Sequence, residues 1–220
     1  MILGLDTATQ ATTVAVLPDA GEPIELRHEP LAGERPGHAT QLLPLARRAL
    51  WAVGATFADV RRIGVGVGPG TFTGLRIGVA TARALAQATG AELAAVSTLE
   101  ALAAAAATDD PVLAVLDARR GEAFVAAFRA GERLLAPAAV EPDELAGLAD
   151  PALGPWLAVG EGAVRFRDRL EPAAEVPADA STLHRVSALA VCRLATAARS
   201  VDRDALLPEY VRLPDAVPRR

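Results

Sequence analysis

The chain of 220 residues contains no lysine, so arginine carries every fixed positive side-chain charge. A phosphate loop of the Walker type needs a lysine after its second glycine, and the sequence therefore excludes that kind of nucleotide site. The single cysteine, Cys192, excludes an intramolecular disulfide, and its apolar, helix-like surroundings predict an inert core thiol. Aromatic residues make up only 4% of the chain, so valine, leucine and alanine must supply most of the core packing.

Targeting signals and strong basic charge are also missing from the sequence. No basic segment precedes an apolar one at the N-terminus, and no apolar run approaches the ~20 residues of a spanning helix. We therefore expect no secretory signal, no membrane contact and a cytoplasmic location, which the single cysteine also favours. The net charge is −5 at pH 7 and the pI is about 5.3. This charge argues against a protein that binds nucleic acid by itself, because RNA-binding proteins normally present a basic face.

The most informative segment covers residues 64–78, which read as a buried strand, a glycine-rich turn and the start of a helix. An element of this kind often binds phosphate at the helix N-terminus. The spacing of Gly66, Gly68 and Gly70 does not match the dinucleotide-binding fingerprint, however. The segment therefore predicts neither of the two common phosphate sites.

The predicted helix after this turn has one face of small residues, because Gly74, Gly78, Ala82 and Ala86 recur at four-residue steps. Glycine inside a helix costs ~1 kcal/mol relative to alanine, so two glycines one turn apart need a structural reason. One interpretation is close packing of this helix onto its own sheet. The other is that the small face admits a helix of another subunit at short range.

The order of predicted elements recurs in the two halves of the chain, since each half opens with three short strands. We predict two lobes, at 1–108 and 109–220, with the last helix able to pack back on the first lobe. Ser97 and Glu100 form a capping box at the start of one helix. The predicted strands lie at 2–5, 13–17, 24–28, 62–67, 93–96, 112–116, 122–129, 133–135 and 157–159, and the main predicted helices at 38–53, 73–89, 162–170 and 182–200.

Several segments together resemble one protein family. The longest is at 68–86, with the sequence GPGTFTGLRIGVATARALA, and shorter ones are ILGLDTAT at 2–9, HATQLLP at 38–44, VSTLEAL at 96–102, LDARRGE at 116–122 and PEYVR at 208–212. The chain is similar in these segments to the TsaB (YeaZ) family, the small partner proteins of bacterial tRNA threonylcarbamoyladenosine synthesis. The resemblance implies an α/β, two-lobed actin-like ATPase fold (ASKHA, ribonuclease H-like), with mixed sheets flanked by helices.

The resemblance also implies a non-catalytic subunit, one that binds and activates a TsaD-like subunit. TsaD transfers a threonylcarbamoyl group to a tRNA adenosine, and a TsaE-like ATPase is the expected third member. We expect no cofactor, tRNA contact only within the complex, and a homodimer when the chain is alone. The expected contact face joins the helix at 38–53 to the small face of the next helix. Its predicted residues are Leu42, Leu45, Gly74, Arg76, Gly78 and Ala82.

Asp6 and Asp117 follow the first strand of each lobe and form the best candidate pair for ATP chemistry. In actin-like enzymes the equivalent turns grip phosphate through glycine amides. Here the first turn lacks glycine, and Ala118, Arg119 and Arg120 precede the glycine of the second, so we expect a degenerate cleft. Both acids could also be simple turn-capping residues. The alternative function is a free-standing actin-like ATPase or small-molecule kinase that uses Asp6 and Asp117.

Metal and hydrolase sites are not predicted either. His28, His38 and His184 are the only histidines, and they lack the spacing of metal ligands and the paired motif that the resemblance ascribes to TsaD. The sequence therefore lacks the metal ligands that a metallopeptidase needs. No Gly-x-Ser-x-Gly elbow occurs, which argues against a serine hydrolase.

Overall fold

Buried apolar strands form a five-stranded first sheet, in a computed structural model that describes residues 1–31 and 33–211. Strand β1 (Ile2–Asp6) is antiparallel to β2 (Thr12–Leu17), which pairs with β3 (Ile24–His28). On its other side β1 is parallel to β4 (Arg62–Gly68), and β4 is parallel to β5 (Glu92–Ser97). The order β3-β2-β1-β4-β5 places β1 and β4 in the centre, where their continuous apolar sequences are buried.

The second sheet repeats this arrangement with one strand fewer. Strands β6 (Val112–Asp117), β7 (Ala123–Arg129) and β8 (Glu132–Val140) form an antiparallel meander, and β9 (Leu157–Val159) is parallel to β6. The order β8-β7-β6-β9 therefore matches β3-β2-β1-β4 of the first sheet. Two mixed sheets of the same topology confirm the predicted fold class, the two-lobed actin-like ATPase fold.

Helices separate and cover the two sheets. The first two pack on one face of the first sheet, the third and sixth lie between the sheets, and the short fourth and fifth cover the outer face of the second sheet. None of the helices in the described part of the chain is long and apolar enough to cross a membrane. The helices are α1 (His38–Ala52), α2 (Phe72–Thr89), α3 (Thr98–Ala104), α4 (Glu161–Arg165), α5 (Arg167–Leu170) and α6 (Ala188–Ala197).

Helix α6 packs back on the first sheet at two glycines. A Cβ atom added to Gly4 would lie 2.6 Å from the Cys192 sulfur, and one added to Gly64 would lie 2.7 Å from the Ala195 methyl carbon. The absence of side chains on these strands therefore lets the helix approach closely. Cys192 is fully buried here, and burial raises the pKa of its thiol to about 12, as expected for an inert core residue.

The predicted helix at 182–200 is wrong at both ends. Residues Thr182–His184 form one separate 3₁₀ turn, and α6 begins only at Ala188, where the Ser187 hydroxyl accepts a hydrogen bond from the Ala190 amide. The 3₁₀ turn is held in place by its last residue, His184, whose ring nitrogens lie 3.1 Å and 3.0 Å from the carbonyl oxygens of Gly160 and Pro177. These tertiary contacts in the second lobe override the helical periodicity of the sequence.

The glycine segment after β4 holds the turn between β1 and β2. The Thr7 hydroxyl donates to the Gly74 carbonyl at 2.7 Å, and the Thr71 amide donates to the Ala8 carbonyl at 2.7 Å. A Cβ atom on Gly74 would collide with the Thr7 carbonyl oxygen, and one on Gly78 would lie 2.5 Å from the Thr7 hydroxyl. The two helical glycines are thus required because the β1–β2 turn lies directly on α2.

The contact face predicted for another subunit therefore points inward. Leu42, Leu45, Gly74, Gly78 and Ala82 are all buried within the first lobe, and only Arg76 of the predicted set is exposed. Five of the six predicted contact residues therefore lie on the faces of α1 and α2 that pack inside the lobe, and the use of these two helices for partner contact stays a prediction. The physical reason is that small residues at four-residue steps also serve packing onto the chain's own turn and sheet.

Gly78→Leu is predicted to destabilise the fold, because the new side chain would have to occupy the position of Thr7. We expect the free energy of unfolding to fall by ~3 kcal/mol, the upper end of the usual cost of overpacking. Ala80→Leu is the matched control, since Ala80 lies on the exposed face of the same helix. Urea denaturation followed by circular dichroism compares the two variants. Equal stability of both would contradict the inward packing of Gly78.

Candidate functional site

Asp6 lies at the end of β1 and is completely buried. One carboxylate oxygen accepts a hydrogen bond from the Ala8 amide at 3.0 Å, and the other lies 3.4 Å from the Thr98 hydroxyl. Burial raises the pKa of Asp6 to about 6, although these two hydrogen bonds and the charge of Arg27 partly oppose the effect. A Cβ atom at Gly66 would collide with the carboxylate, so this glycine provides the space for Asp6. The side chain is enclosed by its own lobe.

Asp117 lies at the equivalent position at the end of β6, but its carboxylate is paired with arginines. Arg165 forms a salt bridge with it at 2.7 Å, and Arg119 contributes a backbone hydrogen bond at 2.8 Å and a guanidinium contact at 3.5 Å. Arg119 and Arg120 both adopt left-handed backbone angles, with φ of 64° and 55°, before Gly121. The turn therefore carries two large side chains where a phosphate-binding turn presents bare backbone.

A cavity of about 620 Å³ lies between the two halves of the chain. Neither Asp6 nor Asp117 lines it. Arg27 lines the cavity and donates hydrogen bonds to the Glu29 carboxylate at 2.7 Å and to the Val186 carbonyl at 3.0 Å. The charged lining residues are Arg27, Glu29, Glu34, Glu161, Asp179 and Arg185, so its acidic groups outnumber its guanidinium groups. Such a lining repels a triphosphate more than it attracts one.

Glu161 lines this cavity at the start of α4 and is a candidate functional residue that was not predicted from the sequence. Burial raises the pKa of its carboxyl group, opposed by Arg119 and Arg27 and reinforced by Asp117. Gly160 positions it, because that residue adopts φ of 107° and a Cβ atom there would collide with the Val115 carbonyl oxygen. The order strand, glycine, acid at 157–161 could have revealed it, since polar residues at the carboxyl ends of parallel strands commonly face a binding crevice.

The outer faces of α1 and α2 form a second candidate site. On α1, Leu43, Arg47 and Trp51 follow one another at four-residue steps, and Trp51 is 81% exposed. On α2 the exposed face carries Phe72, Arg76 and a row of alanines at the same spacing, Ala80, Ala84 and Ala88. Neither helix contains an acidic residue. This surface, which we call the outer helical face, is apolar and basic on a chain whose net charge is negative.

Comparison with known proteins identifies the family. The family model for TsaD, tRNA N6-adenosine threonylcarbamoyltransferase, matches residues 34–166. The Escherichia coli tRNA threonylcarbamoyladenosine biosynthesis protein TsaB is 32% identical over 169 residues, which cover 73% of this chain and 71% of that protein. The chain belongs to the TsaB (YeaZ) family.

Two further matches cover nearly the whole chain. An uncharacterized protein of Mycobacterium tuberculosis is 34% identical over 222 residues, covering 99% of this chain and 94% of that protein. The crystal structure of YeaZ from Pseudomonas aeruginosa superimposes with a TM-score of 0.80 at 30% identity, covering 95% of this chain and 98% of that one. The resemblance seen in the sequence is thereby confirmed. Arg212, the last residue of its closing motif, lies outside the described residues.

Asp6 is predicted to make stability depend on pH. Its pKa is about 6 in the folded chain, against an ordinary value of 3.8, so between these values the folded state keeps a proton that the unfolded chain has released. The free energy of unfolding should therefore fall by ~2.5 kcal/mol as the pH rises from 4 to 8. Asp6→Asn stays neutral and should lose this dependence. Urea denaturation from pH 4 to pH 8 measures both proteins, and parallel curves would refute the assignment.

Proposed function

We propose that this chain is a non-catalytic partner subunit that binds and activates a TsaD-like catalytic subunit in threonylcarbamoyl transfer to tRNA adenosine. Membership of the TsaB family is the observation that carries the proposal, since relatives of this family are named as threonylcarbamoyladenosine biosynthesis proteins. A TsaE-like ATPase is the third member of the proposed complex. We place the complex in the cytoplasm and propose that tRNA is contacted only within the complex. When alone, the chain forms a homodimer.

The outer helical face supports this role because it exposes large apolar side chains. Trp51 and Leu43 are 81% and 46% exposed, although tryptophan and leucine normally lie inside. Tryptophan and arginine are the residues most enriched among those that dominate binding energy at protein interfaces. Two adjacent helices with such a face can pack against two helices of another subunit. The proposed contact residues are therefore Leu43, Arg47 and Trp51, with Arg76 retained from the sequence prediction.

The arrangement of the acids does not favour the alternative of a free-standing ATPase or kinase. Asp6 is enclosed beneath the β1–β2 turn, and Asp117 is paired with Arg165. An enzyme of the actin-like kind would need both carboxylates open to the cleft for metal and water. The acidic lining of that cleft further disfavours a triphosphate.

Trp51→Ala is predicted to weaken binding of the TsaD-like subunit by a factor of about 30 or more, the loss expected when a central tryptophan is removed from an interface. Because Trp51 is exposed, the denaturation midpoint of the isolated chain should not change. Leu134→Ala is the control, since Leu134 is an exposed apolar residue on β8 of the other lobe. Titration calorimetry with the purified subunit decides the matter. Unchanged affinity for Trp51→Ala would count against this contact surface.

Calorimetry with Mg-ATP on the isolated chain tests the alternative. We expect neither micromolar binding of ATP nor its turnover, because Asp6 is buried, Asp117 is paired with Arg165 and the cleft is lined by acidic residues. Asp6→Ala and Asp117→Ala serve as the paired variants. ATP hydrolysis by the wild-type chain that both variants lose would establish the enzyme instead.

A further inference from the structure

The segment at 201–211, which we call the C-terminal strap, follows α2 along its whole length in the opposite direction. It begins at Val201, whose amide donates to the Leu93 carbonyl at 2.9 Å beside the end of α2. In the middle, Asp204 forms a salt bridge with Arg83 at 2.9 Å. Leu206 anchors it, because that side chain is fully buried in the core of the first lobe. The strap is thus a built part of the first lobe.

The far end of the strap is latched to the glycine turn. The Glu209 amide donates to the Val67 carbonyl at 2.7 Å, and a Cβ atom at Gly68 would lie 2.5 Å from the Glu209 carbonyl oxygen. Gly68 also adopts φ of 129°, which only glycine adopts readily. This glycine therefore serves the strap, and no bound phosphate is needed to explain it.

Tyr210 closes the latch at the first turn of α2. Its ring stacks on Phe72 with centroids 5.4 Å apart, and its hydroxyl accepts a hydrogen bond from Arg76 at 3.1 Å. The Arg76 guanidinium in turn lies 3.7 Å from the centre of the Phe72 ring. Tyr210 thereby fixes two side chains of the outer helical face.

Between α2 and the strap runs an open groove of about 640 Å³. Ala80 and Ala84 form its floor, and Leu207, which is 61% exposed, stands in the strap wall. Its charged lining residues are Arg76, Arg83, Arg203 and Asp204, so the groove is net positive. The groove shares Arg76, Ala80 and Ala84 with the outer helical face, which is proposed above to bind the catalytic subunit.

We propose that this groove seats one amphipathic helix of the catalytic subunit, with apolar side chains against Leu207 and acidic side chains facing the arginines. This inference rests on the proposed function and deepens it. Positive charge on a chain of net charge −5 favours an acidic partner. A helix fits better than RNA, because the floor of the groove consists of methyl groups at helical spacing, which suit apolar side chains better than a phosphate backbone. Tyr210 acts as a positioning residue for the wall.

The test is calorimetric titration of the full chain with the TsaD-like subunit. Ala84→Glu and Ala84→Arg place side chains of similar length and opposite charge on the groove floor. At low salt, we expect Ala84→Glu to bind at least about tenfold more weakly than Ala84→Arg, and the difference to shrink at high salt. Tyr210→Ala and Leu207→Ala should each weaken binding about tenfold, whereas Tyr210→Phe keeps the ring and should retain most of the affinity. Denaturation midpoints confirm that each variant is folded.

Two results would overturn the inference. The first is equal affinity of the two Ala84 variants, together with no effect of Leu207→Ala or Tyr210→Ala. If Trp51→Ala still weakens binding in that case, the proposed function survives and only the groove assignment fails. If Trp51→Ala is also without effect, the proposed contact surface fails as well. The second is an unchanged affinity for the catalytic subunit with a changed affinity of the complex for tRNA, which would make the groove an RNA contact.

Discussion

The close approach of α2 to the β1–β2 turn is the contact on which the rest of the molecule depends. Gly74 and Gly78 allow Thr7 to lie against the helix backbone, and the Thr7 hydroxyl satisfies the Gly74 carbonyl. Because this contact is buried, it fixes the rotation of α2 about its axis. The opposite face, with Arg76 and the exposed alanines, is thereby turned to solvent. The two glycines that pack inside the lobe thus determine which face of α2 is exposed to solvent.

The same turn also determines the state of Asp6. The carboxylate fits only because Gly66 has no side chain, and the turn amide of Ala8 and the hydroxyl of Thr98 occupy its oxygens. In a phosphate-handling lobe this turn would stay open to the cleft. Here the packing that stabilises the first lobe encloses the acid, and in the second lobe Arg165 neutralises its counterpart Asp117. The two carboxylates are thus kept from the cleft in different ways, Asp6 by burial and Asp117 by ion pairing.

The sequence predicted most of the fold, because each strand has a local signature. Strands at 24–28 and 157–159 match the structure, and the Ser97 hydroxyl caps α3 at Glu100 as expected, whereas β8 extends from Glu132 to Val140, far beyond its prediction. The direction of the small face of α2 could not be predicted in this way. Both faces of α2 carry small residues at four-residue steps, and Thr7, whose carbonyl and hydroxyl decide between them, lies 67 residues from Gly74. The lobe boundary near residue 109 stays a prediction.

Long-range contacts also explain why the segment at 64–78 needs glycine at several positions. Gly66 makes room for Asp6, Gly68 for the strap at Glu209, and Gly74 for Thr7. Gly66 and Gly74 therefore serve neighbouring residues at the end of β1, whereas Gly68 serves the C-terminal strap, so that the β1–β2 turn, α2 and the strap meet at one place. Since α2 carries much of the outer helical face, the integrity of the C-terminal strap and the shape of that face are physically linked, although the residues involved lie far apart in the sequence.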